Sequence, residues 1–215
     1  MLIVVNGIFG SGSTCIYNLA RALLRRTVSE YATFGVVGIE RANRLIKKFP
    51  VNKWGVLKVH GWTPAGEENT YPIYAHRDIR DALASHMRRA KTSFESELRL
   101  FQREAGISRQ IKKDKSAMIV PYKRIVGDLK GVASDIGKYV GLPIDQETAA
   151  SIAKDCSIPK MKELLRRGDV KDALLKPAHI SKSNGASNYS NVLTAGQIDK
   201  INELFGSWLR EFGYE

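Results

Sequence analysis

The sequence predicts an α/β fold, a mostly parallel central sheet flanked by helices, and three observations predict it. Leu2 to Val5 is an unbroken run of β-branched and aliphatic residues, as a strand buried on both faces requires. A glycine loop, GIFGSGST (Gly7 to Thr14), follows it and opens a run in which Ile16, Leu19, Ala20, Leu23 and Leu24 recur at helical spacing. Beyond that, apolar runs of strand length alternate with helical patterns, which favours parallel strands joined by helical crossovers.

The elements read in order as follows. FGVVGI fits a strand and RANRLIKKF a helix. WGVLKVH, Trp54 to His60, is a strand, and the loop after it contains Pro64 and two glycines. YPIYAH, Tyr71 to His76, is a strand with its proline at the start, where proline is tolerated. RDIRDALASHMRRA turns into a helix, and a charged helix runs from about Phe94 to Lys115. Ser116 to Tyr122 reads as a further strand. Asp128 to Val140 is an amphipathic helix stopped by Gly141 and Pro143, and shorter helices follow over 146–155 and 159–167. A polar loop rich in Ser, Asn and Gly leads to a closing helix over 193–212, with Thr194 and Gln197 as a capping box and Gly213 as the C-cap.

A chain of 215 residues can bury one substantial core, so residues 1–215 are expected to form a single domain. The formal net charge of +12 suits polyanionic ligands, although dispersed basic pairs such as Arg25–Arg26 and Arg88–Arg89 read as solvated helix faces. No aromatic-interleaved basic module argues for nucleic acid. Two cysteines cannot build a disulfide framework, no stretch is long enough to span a membrane, and the expected location is cytoplasmic.

The glycine loop poses a question of charge. Its spacing almost matches the P-loop pattern G-x-x-x-x-G-K-[ST], but Ser13 stands where the lysine belongs. Backbone N–H groups at a helix N-terminus can still hold an anion, with hydroxyls from Ser11, Ser13 and Thr14. The missing lysine counts against nucleoside triphosphate chemistry.

Three further segments narrow the reading. LKVHGW puts Lys58 and His60 at a strand end, HRDIRDALASHMRR puts Arg77 at the next strand end with Ser85 two helical turns on, and PYKRIVGDLKGVASDIGKYVGLPI gives a strand, Tyr122 and a helix. With GIFGSGST, these resemble the sulfotransferases that use 3′-phosphoadenosine 5′-phosphosulfate (PAPS), over nearly the whole chain. The resemblance implies a P-loop NTPase-like fold whose glycine loop, Phe9, Gly10, Ser11, Gly12, Ser13 and Thr14, binds the 5′-phosphosulfate. It implies Arg77 and Ser85 at the 3′-phosphate, Tyr122 near the nucleotide, Lys182 in a late phosphate cradle, His60 as general base and Lys58 beside the transferred group. The implied donor is PAPS, the nucleotide product 3′,5′-adenosine bisphosphate (PAP), and no metal is required. The acceptor would bear a hydroxyl or amine. A basic rim suits an anionic sugar, while steroid, phenol, lipid and peptide acceptors stay open.

The chain departs from that pattern in several places. The loop's basic residue falls on Gly10, its proline on Phe9, and the aromatic beside the adenine on Cys15. The late R-K-G reads Lys182, Ser183, Asn184. Taken singly, His60 also reads as a strand-end histidine, Arg77 as a partner of Asp78 or Asp81, and Ser85 as an ordinary helix serine. Lys58 and His60 share a face only if the strand runs through His60. Two alternatives stand beside sulfuryl transfer: a small-molecule kinase on a degenerate P-loop, and an inactive relative that binds nucleotide or polyanion.

Overall fold

The computed structural model describes residues 1–62, 68–168, 174 and 188–215. Five strands form one sheet: β1 (Leu2–Gly7), β2 (Tyr31–Val37), β3 (Trp54–Val59), β4 (Thr70–His76) and β5 (Met118–Pro121), in the order β2-β3-β1-β4-β5. Every pairing is parallel. β1 lies at the centre, and all six of its residues are buried. Its alternate side chains serve different layers: Ile3 and Val5 pack with α1 (Ser13–Thr27), Leu2 and Val4 with α2 (Ile39–Lys48). That double burial is why the strand is apolar at successive positions.

On the α1 side, α6 (Leu129–Tyr139), α7 (Gln146–Asp155) and α8 (Ile158–Arg167) join the same core through Val132, Ile136, Ile152 and Met161. A further cluster packs α3 (Ile79–Ala90), α4 (Phe94–Lys113) and α9 (Ala195–Phe212) around Ile8, Phe101 and Trp208. The capping box at Thr194 and Gln197 and the left-handed Gly213 form as expected. The chain then turns back. The Tyr214 hydroxyl lies 2.9 Å from His76 Nδ1, and Arg80 donates to the Tyr214 carbonyl at 3.0 Å. No helix among the described residues is long and apolar enough to cross a membrane.

Several boundaries differ from the sequence expectation: β2 runs Tyr31–Val37, earlier than FGVVGI, with Ile39 opening α2, and two others bear on the site. β3 stops at Val59, leaving His60 just past the strand. β5 ends at Pro121, and Tyr122 opens a short helix, α5 (Tyr122–Gly127), instead of closing the strand. Proline cannot donate to a ladder, so it ends the pairing, yet it is well suited to lead into a helix.

The order of the strands fixes where a ligand can sit. The chain leaves β1 toward β2 and β3, then crosses to β4 and β5 on the other side. Such a reversal opens a crevice at the carboxyl ends of the strands. The glycine loop after β1, His60 after β3 and Arg77 after β4 all fall there.

Candidate functional site

The loop between β1 and α1 is tightly constrained. A Cβ on Gly7 would lie 2.6 Å from the Ala75 carbonyl oxygen and 2.7 Å from Ser11 Oγ. Gly10 and Gly12 have φ of 82° and 84°, which side-chain-bearing residues rarely adopt. α5 presses on Gly12 through Tyr122 and Ile125, and α3 presses on Gly10 through Ala82. α1 begins with no side-chain cap and no acid in its first turn. No described residue accepts a hydrogen bond from the backbone N–H of Gly10, Gly12, Ser13 or Thr14. Ser11 Oγ is buried without a partner. Free N–H groups, the positive end of a helix dipole and an orphan hydroxyl together can hold an anion.

His60 and Lys58 meet above this loop although the strand ends between them. Lys58 Nζ is 2.9 Å from His60 Nε2, and His60 Nδ1 is 2.9 Å from the Gly7 carbonyl oxygen. A carbonyl only accepts, so Nδ1 carries the proton and Nε2 accepts from the lysine. Asn6 braces the arrangement: its amide donates to the Trp62 carbonyl, and its oxygen accepts from Gly7 N at 2.7 Å. The Phe9 ring stacks on His60 at 4.5 Å. Burial, then the charge of Arg89, lower Lys58 to about 8. Burial, then the charge of Lys58, bring His60 down to about 3, against the opposing Gly7 bond. His60 is therefore neutral at physiological pH, and Lys58, 3% exposed, forms no ion pair with a described carboxylate.

Arg77 leaves the end of β4 and is also buried. Its Nη1 donates to the Gly10 carbonyl at 3.4 Å, its guanidinium lies 4.2 Å over the Tyr122 ring, and its Nε has no partner. Asp81 sits 3.6 Å from it and accepts from Tyr189 N at 3.0 Å. Asp78 instead caps α3 and pairs with Arg80 at 2.8 Å. Ser85 lies two turns along α3 from Arg77. Cys15 turns away from the loop, its Sγ 4.0 Å from the Cys156 carbonyl, and burial pushes its thiol up to about 12. Lys182 lies outside the described residues.

The structure adds three residues that the sequence reading did not single out. Arg89, read as half of a solvated basic pair, turns inward: its Nη2 is 3.6 Å from where a Cβ on Gly10 would stand. His86 donates to Glu97 at 2.8 Å, and its ring centroid is 4.8 Å from that of Phe9. Glu104 is fully buried near Gly61 with neither oxygen hydrogen-bonded, Arg103 lies 3.8 Å from Oε1, and burial pushes the carboxyl up to about 7 against that charge. Only Arg89 had a sequence signal, since it falls one helical turn after Ser85.

The arrangement suits transfer of an anionic group. Three cationic side chains, Lys58, Arg77 and Arg89, and a neutral imidazole surround a loop with free N–H groups. No cluster of His, Cys, Asp or Glu among the described residues could hold a metal ion.

Comparison with known proteins agrees with this chemistry. The chain has the fold of a mouse sulfotransferase, SULT7A1, solved in complex with PAP, at a TM-score of 0.70 and 18% identity over 97% of this chain and 84% of that one. It also matches retinol dehydratase in complex with androsterone and inactive cofactor PAP, at a TM-score of 0.68 and 13% identity over 97% and 80% of the two chains. A second retinol dehydratase structure, with retinol and PAP, aligns equally well, at 0.68 and 13% over 97% and 81%. No curated protein matches by sequence. The family model described as the sulfotransferase domain matches residues 67–213, more than half the chain, and the chain belongs to that family.

Proposed function

We propose that this chain, acting as one unit over residues 1–215, transfers a sulfuryl group from PAPS to a hydroxyl- or amine-bearing acceptor. One observation carries the reading: an anion loop with free N–H groups is faced by Lys58 and His60 from one neighbouring strand and by Arg77 from the other. The residues present fit the donor. The orphan Ser11 Oγ and Arg77 Nε are buried groups that lack hydrogen-bond partners, and phosphate oxygens would supply them. PAP in the related structures is the product such a donor leaves.

In this reading the loop from Phe9 to Thr14 holds the 5′-phosphosulfate through its backbone and hydroxyls. Arg77 and Ser85 hold the 3′-phosphate, with Tyr122 fixing the plane of Arg77, and Lys182 is assigned to the same phosphate. The acceptor oxygen or nitrogen bonds to sulfur, the bond from sulfur to the phosphate oxygen breaks with its electron pair going to the 5′-phosphate, and the acceptor proton goes to His60. Lys58 has a further part. Its ammonium occupies His60 Nε2, the nitrogen that must take the proton. An anion in the loop draws Lys58 toward it, which frees the imidazole as negative charge develops nearby.

The kinase alternative needs a carboxylate for magnesium after a strand, and Asp78 is already engaged by Arg80. Calorimetry with PAP, against ATP plus magnesium, tests the reading. The expected result is micromolar binding of PAP, weak binding of ATP, and loss of PAP binding in Arg77→Ala. Tight ATP binding, or no binding of PAP, overturns it. Binding of PAP without sulfuryl transfer from PAPS to any of a broad acceptor panel would identify the inactive relative instead.

A further inference from the structure

The loop brings no cation of its own, and breaking the bond to the transferred group leaves an extra negative charge on the 5′-phosphate. That charge needs a counter-ion on the loop side of the crevice. We propose that Arg89, on α3, supplies it by contacting the 5′-phosphate end of the donor, which makes it a further catalytic residue of the reaction proposed above and dependent on that reading.

Geometry at Gly10 comes first. A side chain at position 10 would start 3.2 Å from the Ala82 carbonyl oxygen and 3.6 Å from Arg89 Nη2, on a backbone with φ of 82°. α3 packs so closely on the loop that a side chain at position 10 would be crowded on a backbone that disfavours one, and the guanidinium of Arg89 stands in contact with the place where it would begin. The cation has moved from the loop to the helix beside it.

The bonding of Arg89 is the second observation. Its Nε donates to the Ser85 carbonyl at 3.3 Å, which anchors the guanidinium by one edge. No described residue accepts from Nη1 or Nη2, and no described carboxylate lies within ion-pair distance. Glu97, whose charge favours the protonated arginine, is bonded to His86. Arg89 is thus a half-buried arginine with an open fork, the geometry that suits bidentate contact with phosphate oxygens.

Its surroundings are the third. The charge of Arg89 disfavours the protonated forms of Lys58 and His60, and Arg77 in turn disfavours that of Arg89. Three cations share the crevice without neutralising acids around all of them. Such mutual repulsion is relieved when an anion binds.

Binding alone tests this, so the unknown acceptor is not needed. The affinities of PAP and of adenosine 3′-monophosphate are measured by calorimetry; their ratio isolates the contribution of the 5′-phosphate. In Arg89→Ala the ratio is expected to fall about ten-fold or more while 3′-monophosphate affinity changes less than about three-fold, as for loss of one charge-assisted contact. Arg89→Gln, which retains an N–H for the Ser85 carbonyl without the charge, is expected to do the same with unchanged thermal unfolding, and Arg89→Lys to restore part of the ratio. An unchanged ratio overturns the role of Arg89 while leaving the donor site standing. Parallel loss of both affinities with a lowered Tm makes Arg89 structural and also overturns it. Wild-type protein that binds neither nucleotide overturns the donor reading and this one with it.

Discussion

The Lys58 ammonium and His60 Nε2 stand 2.9 Å apart, so a buried lysine occupies the imidazole nitrogen that carries the lone pair, while Nδ1 donates its proton to the backbone. The pair is held between a β-strand and a glycine loop, and the lysine charge adds to burial in lowering the proton affinity of His60. This contact joins the proposed base to the glycine loop, and it yields the first prediction.

Lys58→Met is expected to raise the titration midpoint of His60 from about 3 toward the ordinary imidazole range, because the lysine charge is the second-largest cause of the depression. Burial is the largest and remains, so the rise is partial. The His60 ring protons, assigned with His60→Gln and followed by NMR across pH, measure it. An unmoved midpoint would mean that the lysine does not control the proton affinity of His60.

Stability is expected to fall on mild acidification. His76 is held down to about 4 by burial and His60 to about 3, so both are neutral when folded and protonate near 6.5 when unfolded. A depressed histidine contributes stability that is complete above the unfolded value and is lost as pH falls through the folded one. Glu104 runs the other way. Raised to about 7 when folded against 4.5 unfolded, it contributes stability below 4.5 that is lost as pH rises through 7. Between these limits the unfolded chain gains two protons and the folded chain one, so stability from these groups falls by about 1.4 kcal/mol for each pH unit lost. Urea unfolding at pH 7, 6 and 5 reads the slope; a flat profile contradicts it.

Glu104→Gln isolates one of those terms. Removing a buried carboxylate that has no hydrogen bond, and only the exposed Arg103 at 3.8 Å, is expected to raise stability above pH 7 and change it little below pH 4.5. In the window between, the slope with pH steepens to about twice the wild-type value. A variant less stable than wild type at pH 8 would show that Glu104 has a partner when the protein is in solution.

Two glycines should respond oppositely to alanine. A Cβ on Gly7 meets the Ala75 carbonyl at 2.6 Å, so Gly7→Ala forces the backbone apart and is expected to cost about 1–3 kcal/mol and weaken PAP binding. Gly106, within α4, has nothing within 4 Å of its Cβ position, and Gly106→Ala is expected to stabilise by up to about 1 kcal/mol. Thermal unfolding of the two variants decides it; equal effects of the same sign would show that the loop tolerates what the geometry forbids.

Much of this architecture was legible in the sequence because its signals are local. The uniform apolar run of β1, the helical spacing of Ile16 to Leu24 and the Thr194–Gln197 box each specify an element within a few residues. The end of the fifth strand was misjudged because SAMIVPY keeps strand-like composition through Tyr122, and only packing on Gly12 shows that this residue belongs to a helix. Arg89 was hidden by its neighbour. Arg88 and Arg89 look alike in sequence, yet successive helical residues point about 100° apart, so one reaches solvent and the other the loop. The His86–Glu97 pair joins two helices across a turn, and Glu104 matters through what fails to reach it. Neither leaves a trace in spacing. Arg77 was legible, but its bond to Gly10 and its stacking on Tyr122 depend on three separate segments meeting.

The fastening of Tyr214 to His76 has a consequence for synthesis. His76 immediately precedes Arg77, and Arg80 of the same turn holds the Tyr214 carbonyl. The strand end that presents Arg77 is therefore finished only by residues translated about 140 positions later. On the ribosome, a nascent chain could assemble β1, β3 and β4 and still lack this brace. The brace forms only once Tyr214 has emerged, so the presentation of Arg77 lags behind the sheet that carries it.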